Sequence, residues 1–471
     1  MSIRKLCCNE ALRPCAADGP SDAAVPPLAA VVLLNSPTNG EWEYREYLRL
    51  FLSRRLLPVG GAPAAATFFL CADGAYERLY HFYADHGVAA LLGDGPSERG
   101  EQHAAQVAAL LDTCGLCDVV IGDMDSSHVG DGSRADRHLR TTELYPAVSA
   151  IPAEELDRIL ARVAQATAAP PAETPARRPC RIPVSCQMTT DFEKCILLLQ
   201  RLRARLPAGG PQAADGAAPA PWVAFCEVAV RKEQDACAAL SAAGAANDAA
   251  RLEAARCHTL LRAAAGGSAA PLYAGTREEA AAHGCSAGSP TAPDCGGRVC
   301  TVLLPHVAVL GAFGGRLDHE LGNLCCVLKF ATAFHLMLTN ATNVAFACWP
   351  DGITQWVTPR AWAAVPAERT HCGVITMGAV QQIETTGLLY NMVKGRPHRY
   401  DGVTQTEGLQ FGFDALISAC NQYPGEVVTI DLRGGVTDKD AVLVSWPADK
   451  ADGLLPSTAP TIITCERGWD H

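Results

Sequence analysis

Four short, largely apolar runs constrain this chain more than any other feature. Leu28–Leu34 ends at the turn signal Asn35-Ser36-Pro37, and Thr67–Cys71 runs into Ala72-Asp73-Gly74-Ala75. Asp118–Ile121 runs into Gly122-Asp123-Met124-Asp125-Ser126-Ser127, and Val307–Leu310 into Gly311-Ala312-Phe313-Gly314-Gly315-Arg316-Leu317-Asp318. Runs this short without polar alternation read as strands buried on both faces, the pattern of a parallel sheet. Helical spacing separates them: Tyr44, Tyr47, Leu48, Phe51 and Leu52 recur within Glu41–Leu57, a helix follows Asp73 through Phe82, and another is expected over Glu101–Leu111. Alternating strand and helix gives an α/β fold with a doubly wound, mostly parallel sheet.

After residue 340 the pattern changes. Asn343–Trp349, Ile353–Val357, Cys372–Met377, Ala415–Ala419, Val427–Leu432 and Ala441–Trp446 are short strand candidates separated by turn residues. They predict a C-terminal β-sandwich domain over 341–471, after an α/β domain over 28–340. Residues 1–27 are aperiodic and read as a loose tail. About 127–184 and 207–297 read as insertions. The second is dominated by Ala, Gly, Pro and Ser, a composition that cannot fill a core. A single apolar helix is expected over Leu321–Leu338.

In open α/β sheets ligands bind outside the carboxyl ends of the strands. Asp123 and Asp125, with one residue between them, stand at such an end and can share a hard cation such as Mg²⁺. Taken alone, Asp-x-Asp is also an ordinary turn with solvated carboxylates. What adds to it is convergence: Asp73, the segment Gln187–Lys194, and Arg316 with Asp318 all fall at strand ends or helix starts. Thr190-Asp191 is a helix start signal. Asp191 and Lys194 lie one helical turn apart, as a metal ligand beside a phosphate-binding cation or as a surface ion pair. Gly314 and Gly315 would let backbone N–H groups approach a phosphate, or would serve only a tight turn. No Walker-type glycine loop and no Gly-x-Ser-x-Gly elbow occurs, so the inventory points to metal-assisted phosphoryl-type transfer rather than covalent catalysis.

The 471 residues carry a net charge of −11, which argues against a general nucleic-acid or anionic-membrane surface. No apolar run is long enough to span a membrane. The 21 cysteines, many inside apolar runs, and the absence of an apolar leader after Arg4 and Lys5 read as reduced thiols in a cytoplasmic protein.

With these residues in hand, the sequence resembles the thiamine pyrophosphokinase (thiamine diphosphokinase) family. The resemblance rests on Cys71–Ala75 with Arg78-Leu79-Tyr80, Gly122–Ser126, Gln187–Cys195, Gly311–His319, Thr385–Leu388 and Leu416–Asn421, in the family's order. It implies transfer of a diphosphate from ATP to the hydroxyl of thiamine, with attack on the β-phosphorus, Mg²⁺ as cofactor, and a homodimer with active sites near the subunit interface. By the same resemblance Asp123, Asp125 and Asp191 would be the catalytic and metal-site carboxylates. Asp73, Gln187, Thr190, Lys194 and Asp318 would line the ATP and phosphate site, and Ser418 and Asn421 the thiamine site; Arg316, read from its place in the glycine turn and not from the resemblance, is either a partner for phosphate oxygens or a solvated surface arginine. The sequence departs from the family at Cys186 and Met188, where acidic residues are usual, and at Tyr390, where tryptophan is usual. Two other readings compete: a metal-dependent sugar-nucleotide transferase using Asp123-x-Asp125, which leaves the C-terminal β region unexplained, and a catalytically weakened nucleotide- or thiamine-binding protein.

Overall fold

The apolar runs become strands because their neighbours on both sides are apolar too. In a computed structural model, β2 (Ala30–Leu33), β3 (Phe68–Ala72), β4 (Val119–Gly122), β8 (His306–Leu310) and β9 (His335–Thr339) are buried along their whole lengths. The structure describes residues 2–8, 28–52, 67–87, 105, 108–109, 115–125, 139–166, 178–205, 299–302, 304–350, 352–358, 370–376, 383–393, 398–400, 403–405, 418–425, 427–433 and 442–447. The remaining strands are β1 (Ser2–Cys8), β5 (Arg140–Thr141), β6 (Cys180–Pro183), β7 (Val299–Val302), β10 (Asn343–Ala347), β11 (Ile353–Val357), β12 (His371–Thr376), β13 (Glu384–Thr386), β14 (His398–Tyr400), β15 (Val403–Gln405), β16 (Ser418–Gln422), β17 (Val427–Asp431) and β18 (Val442–Pro447). The helices are α1 (Glu41–Phe51), α2 (Ala75–His86), α3 (Ala153–Ala166), α4 (Asp191–Arg205) and α5 (Leu317–Lys329).

One sheet of 11 strands runs through the molecule in the order β16-β12-β18-β10-β9-β8-β2-β3-β4-β6-β5. From β9 to β5 every pairing is parallel, while β9–β10, β10–β18, β18–β12 and β12–β16 are antiparallel. A second sheet of five strands, β13-β17-β11-β1-β7, packs over the same face as α1 and α2, sharing one core cluster with them. Helices α3, α4 and α5 cover the opposite face. The fold is therefore an α/β domain followed by a β-sandwich, with one sheet continuous between them. The boundary expected at residue 340 falls inside that sheet, at the β9–β10 pairing.

Three sequence expectations are corrected. The first eight residues are not part of a loose tail: β1 is an interior strand, parallel to β11 on one side and β7 on the other. Its polar residues hid it, and Lys5 is buried at 1% exposure with Nζ donating to Ala347 O at 2.8 Å. Within the long connection read as an insertion over about 127–184, residues 139–184 are part of the sheet's scaffold: β5, α3 and β6 build the edge of the parallel sheet and α3 packs on α4. The apolar stretch 321–338 is not one helix. α5 stops at Lys329 and β9 begins at His335, pairing in parallel with β8. An unbroken apolar run does not distinguish the two by periodicity. The helix expected over 101–111 and the stretch 207–297 fall largely or wholly outside the described residues. Among the described residues no helix is long and apolar enough to cross a membrane.

Candidate active site

The carboxyl edge of β3 and β4 is where backbone strain and polar residues collect. Asp73, the first residue after β3, has φ 42°, and Met124, between the two aspartates after β4, has φ 65°. A left-handed conformation costs a non-glycine residue about 1 kcal/mol, least for Asp and Asn. Both turns serve one result: oxygen atoms of Asp73, Asp123 and Asp125 lie within 4.8 Å of one another. Gly122 permits the approach, since a Cβ there would stand 2.8 Å from Asp73 Cβ. Asp73 is buried at 1% exposure, with its backbone N–H bonded to Ile121 O at 3.0 Å, while Asp125 is exposed at the rim.

The loop after β6 delivers the next groups. Thr190 caps α4, its hydroxyl accepting from Glu193 N at 3.2 Å, so the helix starts at Asp191 as the sequence indicated. That start aims Lys194, 1% exposed, back toward the edge. Its Nζ donates to Asp191 Oδ1 at 2.9 Å and stands 3.7 Å from Asp123 Oδ2. Gln187 Nε2 donates to Asp123 Oδ2 at 3.0 Å. These contacts separate the two carboxyls. Burial raises the pKa of Asp123, but the Asp125 N–H, the Gln187 amide and the Lys194 charge outweigh it and leave it below the ordinary range. Asp191 is raised, chiefly by burial and also by the charge of Asp123, against the lowering effect of Lys194.

The trio is a set of hard oxygen donors, the ligand type that suits Mg²⁺, and a cation among three carboxylates this close would relieve their mutual repulsion. The donor set thus fits the metal that the resemblance implies. Asp73, expected only to line the cleft, belongs to the trio. Asp191 is held beside it through Lys194.

The other expected residues divide. Arg316 and Asp318 follow the glycine turn after β8, where Gly314 has φ 90° and a Cβ would meet Thr38 Oγ1 at 2.5 Å. They pair with each other, Arg316 Nε to Asp318 Oδ1 at 3.1 Å, and both are largely exposed. The guanidinium bond holds the Asp318 carboxyl below its usual range. Ser418 and Asn421 lie on β16, at the opposite end of the 11-stranded sheet from β5. Asn421 is 1% exposed, and its amide accepts from Tyr390 N at 3.0 Å and donates to Tyr390 O at 2.9 Å and Ser418 Oγ at 3.2 Å. That clamp presents Leu389 and Tyr390 to solvent, at 50% and 66% exposure. Cys186 is half-buried, and Met188, beside Gln187, is 91% exposed.

The loop after β2 carries polar residues that the sequence reading passed over as a turn. Ser36 Oγ and Thr38 Oγ1 are 2.9 Å apart, and Arg78 Nη1 on α2 donates to Ser36 O at 3.0 Å. The signal that could have found them is topological. β2 is the strand on whose two sides the chain order diverges, to β3 and β4 one way and to β8 and β9 the other.

The family-model match lies at the antiparallel end. Residues 364–437, which include β12 to β17, match the family model described as thiamin pyrophosphokinase, vitamin B1 binding domain. Thiamine pyrophosphokinase 1 of Oryza sativa subsp. japonica is 29% identical over 110 residues, which are 22% of this chain and 37% of that protein. The match thus spans little more than a third of the curated relative's length. Among solved structures, yeast thiamin pyrophosphokinase aligns with a TM-score of 0.36 and 15% identity over 95% of this chain and 92% of that one. The thiamine pyrophosphokinase of Bacillus subtilis aligns with a TM-score of 0.34 and 11% identity over 89% of this chain and 99% of that one.

Proposed function

We propose that the chain is a thiamine pyrophosphokinase, which transfers a diphosphate from ATP to the hydroxyl of thiamine and gives thiamine diphosphate and AMP; the match of residues 364–437 to the vitamin B1 binding domain supports this. The observation that carries this reading is the convergence of Asp73, Asp123 and Asp125 within 4.8 Å, beside the buried cation Lys194. Phosphoryl-type transfer needs mainly positioning and charge neutralisation.

Asp73, Asp123 and Asp125 would hold Mg²⁺. When bound, the ion supplies charge neutralisation for the phosphate oxygens. Lys194 keeps Asp191 and Asp123 from repelling each other and adds positive charge to the site. Gln187 orients the Asp123 carboxylate. The thiamine hydroxyl oxygen attacks the β-phosphorus, the bond to the bridging oxygen breaks, and AMP leaves with that oxygen. The hydroxyl proton passes to a carboxylate. Asp123 already accepts from Asp125 N and Gln187, which lowers its basicity, so we assign the proton to Asp125 at the rim.

The strand carrying Ser418 and Asn421 is separated from β3 by β12, β18, β10, β9, β8 and β2. Seven spacings of about 4.8 Å make roughly 34 Å along the sheet, too far for one thiamine to bridge. This separation supports a homodimer in which the vitamin-binding end of one copy completes the acidic end of its partner. The weakened-binder reading differs in outcome. The purified chain with ATP, Mg²⁺ and thiamine should release AMP and thiamine diphosphate, whereas binding of both ligands without AMP would sink the transfer reading. Mixing an Asp123→Asn chain with a Ser418→Trp chain should restore activity that neither has alone, and a mixture as inactive as its parts would rule out the shared site.

A further inference from the structure

Two features of the carboxyl edge stand apart from each other. The acidic trio lies over the junction of β3 and β4. The crevice where the strand order diverges lies between β2 and β8, the point at which open α/β sheets receive ligands. There the Thr38 loop packs against the Gly311–Gly315 turn. The two junctions are two strand spacings apart, about 10 Å. A ligand whose phosphates meet a cation at the trio and whose nucleoside enters the crevice must cross the ends of β2 and β3.

Arg78 stands at that crossing. It rises from α2, five residues after Asp73, and reaches across to the loop after β2, where Nη1 donates to Ser36 O. The Ser36 carbonyl and the Tyr44 phenol hold the guanidinium in place, and the residue is otherwise exposed. A guanidinium has five N–H donors in a planar fork, so these two anchors leave others for phosphate oxygens. Arg316, the arginine expected to do this, is instead paired with Asp318. On the same loop Asn35 Oδ1 is buried with no hydrogen-bond partner among the described residues, and a ribose or amino donor entering the crevice would satisfy it.

We propose that Arg78 is the cation that grips the phosphate chain of a nucleoside polyphosphate between the acidic trio and the β2–β8 crevice. The proposal rests on the donor reading above and names the residue that recognises the donor. The test is equilibrium binding of α,β-methylene-ATP with Mg²⁺ to the full chain, to Arg78→Gln and to Arg78→Lys, with thiamine titrated in parallel. Arg78→Gln should weaken the analogue at least about tenfold while thiamine changes by less than about twofold. Arg78→Lys should lose less, since it keeps the charge and loses the fork. Unchanged analogue affinity, or equal losses for analogue and thiamine, would overturn the proposal and leave Arg78 a loop brace. Should Arg78→Gln fail to fold, Arg78→Lys decides by the same comparison. A wild-type chain that binds thiamine and not the analogue would overturn the donor reading itself, and this proposal with it.

Discussion

The two ends of the 11-stranded sheet use polar side chains in opposite ways. At the parallel end, three carboxylates crowd together and one buried lysine faces two acids, so negative charge accumulates and is only partly cancelled. At the antiparallel end, Asn421 spends both ends of its amide on the backbone of Tyr390, and a polar network is closed so that an aromatic ring can be exposed. The first arrangement suits a reaction in which charge must be held, and the second a surface that recognises shape. Strand direction explains the split. Parallel strands put all their carboxyl ends, and the loops after them, on one edge, whereas antiparallel strands alternate.

The sharpest way to break this comparison is to remove one charge at the parallel end. Asp123→Asn should lower the turnover rate at least about a hundredfold, on the order of 3 kcal/mol of barrier, in a chain that still binds thiamine. Wild-type turnover in that variant would move the chemistry elsewhere. Next, Lys194→Met leaves Asp191 and Asp123 facing each other without their cation. Loss of one partner from a buried pair costs about 3 kcal/mol, which urea unfolding at neutral pH would read.

The join between the ends carries its own pH dependence. His306 and His335 meet edge to face with ring centres 4.6 Å apart, both buried and within reach of the Lys5 charge. Burial pushes His306 down to about 4 and His335 well below its ordinary value. A histidine depressed in the folded state binds fewer protons there than in the unfolded chain. Its contribution is therefore present above about pH 6.5 and lost as pH falls toward the folded value. Between pH 7 and 5, His306 alone should cost on the order of 2 kcal/mol of stability. Denaturant midpoints at the two pH values measure this, and His306→Phe should flatten the difference. The smallest effect is expected at the antiparallel end. Asn421→Ala should cost about 1 to 2 kcal/mol of stability through the opened Tyr390 loop. It should raise the KM for thiamine while leaving kcat within a few-fold, and an unchanged KM would separate that loop from the vitamin.

Much of the parallel end was legible because burial on both faces leaves an unmistakable mark. Val119–Ile121 is apolar throughout and ends in a glycine before its acids, so strand, edge and Asp-x-Asp could be read together. The capped start at Thr190 and the Asp191–Lys194 spacing were local too. What escaped was set by register between distant segments. Asp73 joins Asp123 and Asp125 because β3 and β4 pair with Ala72 opposite Ile121, which no local pattern states. β1 escaped because its lysine finds carbonyl partners at Ala331 and Ala347, more than 300 residues away. Arg78 and Ser36 meet only because α2 and the β2 loop stand side by side on that edge.

The most direct measurement follows the phosphorus. The purified chain is given thiamine, Mg²⁺ and ATP labelled at the β-phosphorus, and the products are separated. Label in thiamine diphosphate, with unlabelled AMP released in equal amount, is the expected result. Labelled ADP with thiamine monophosphate, or label that stays in ATP while both ligands bind, would contradict diphosphate transfer at the Asp73, Asp123 and Asp125 site.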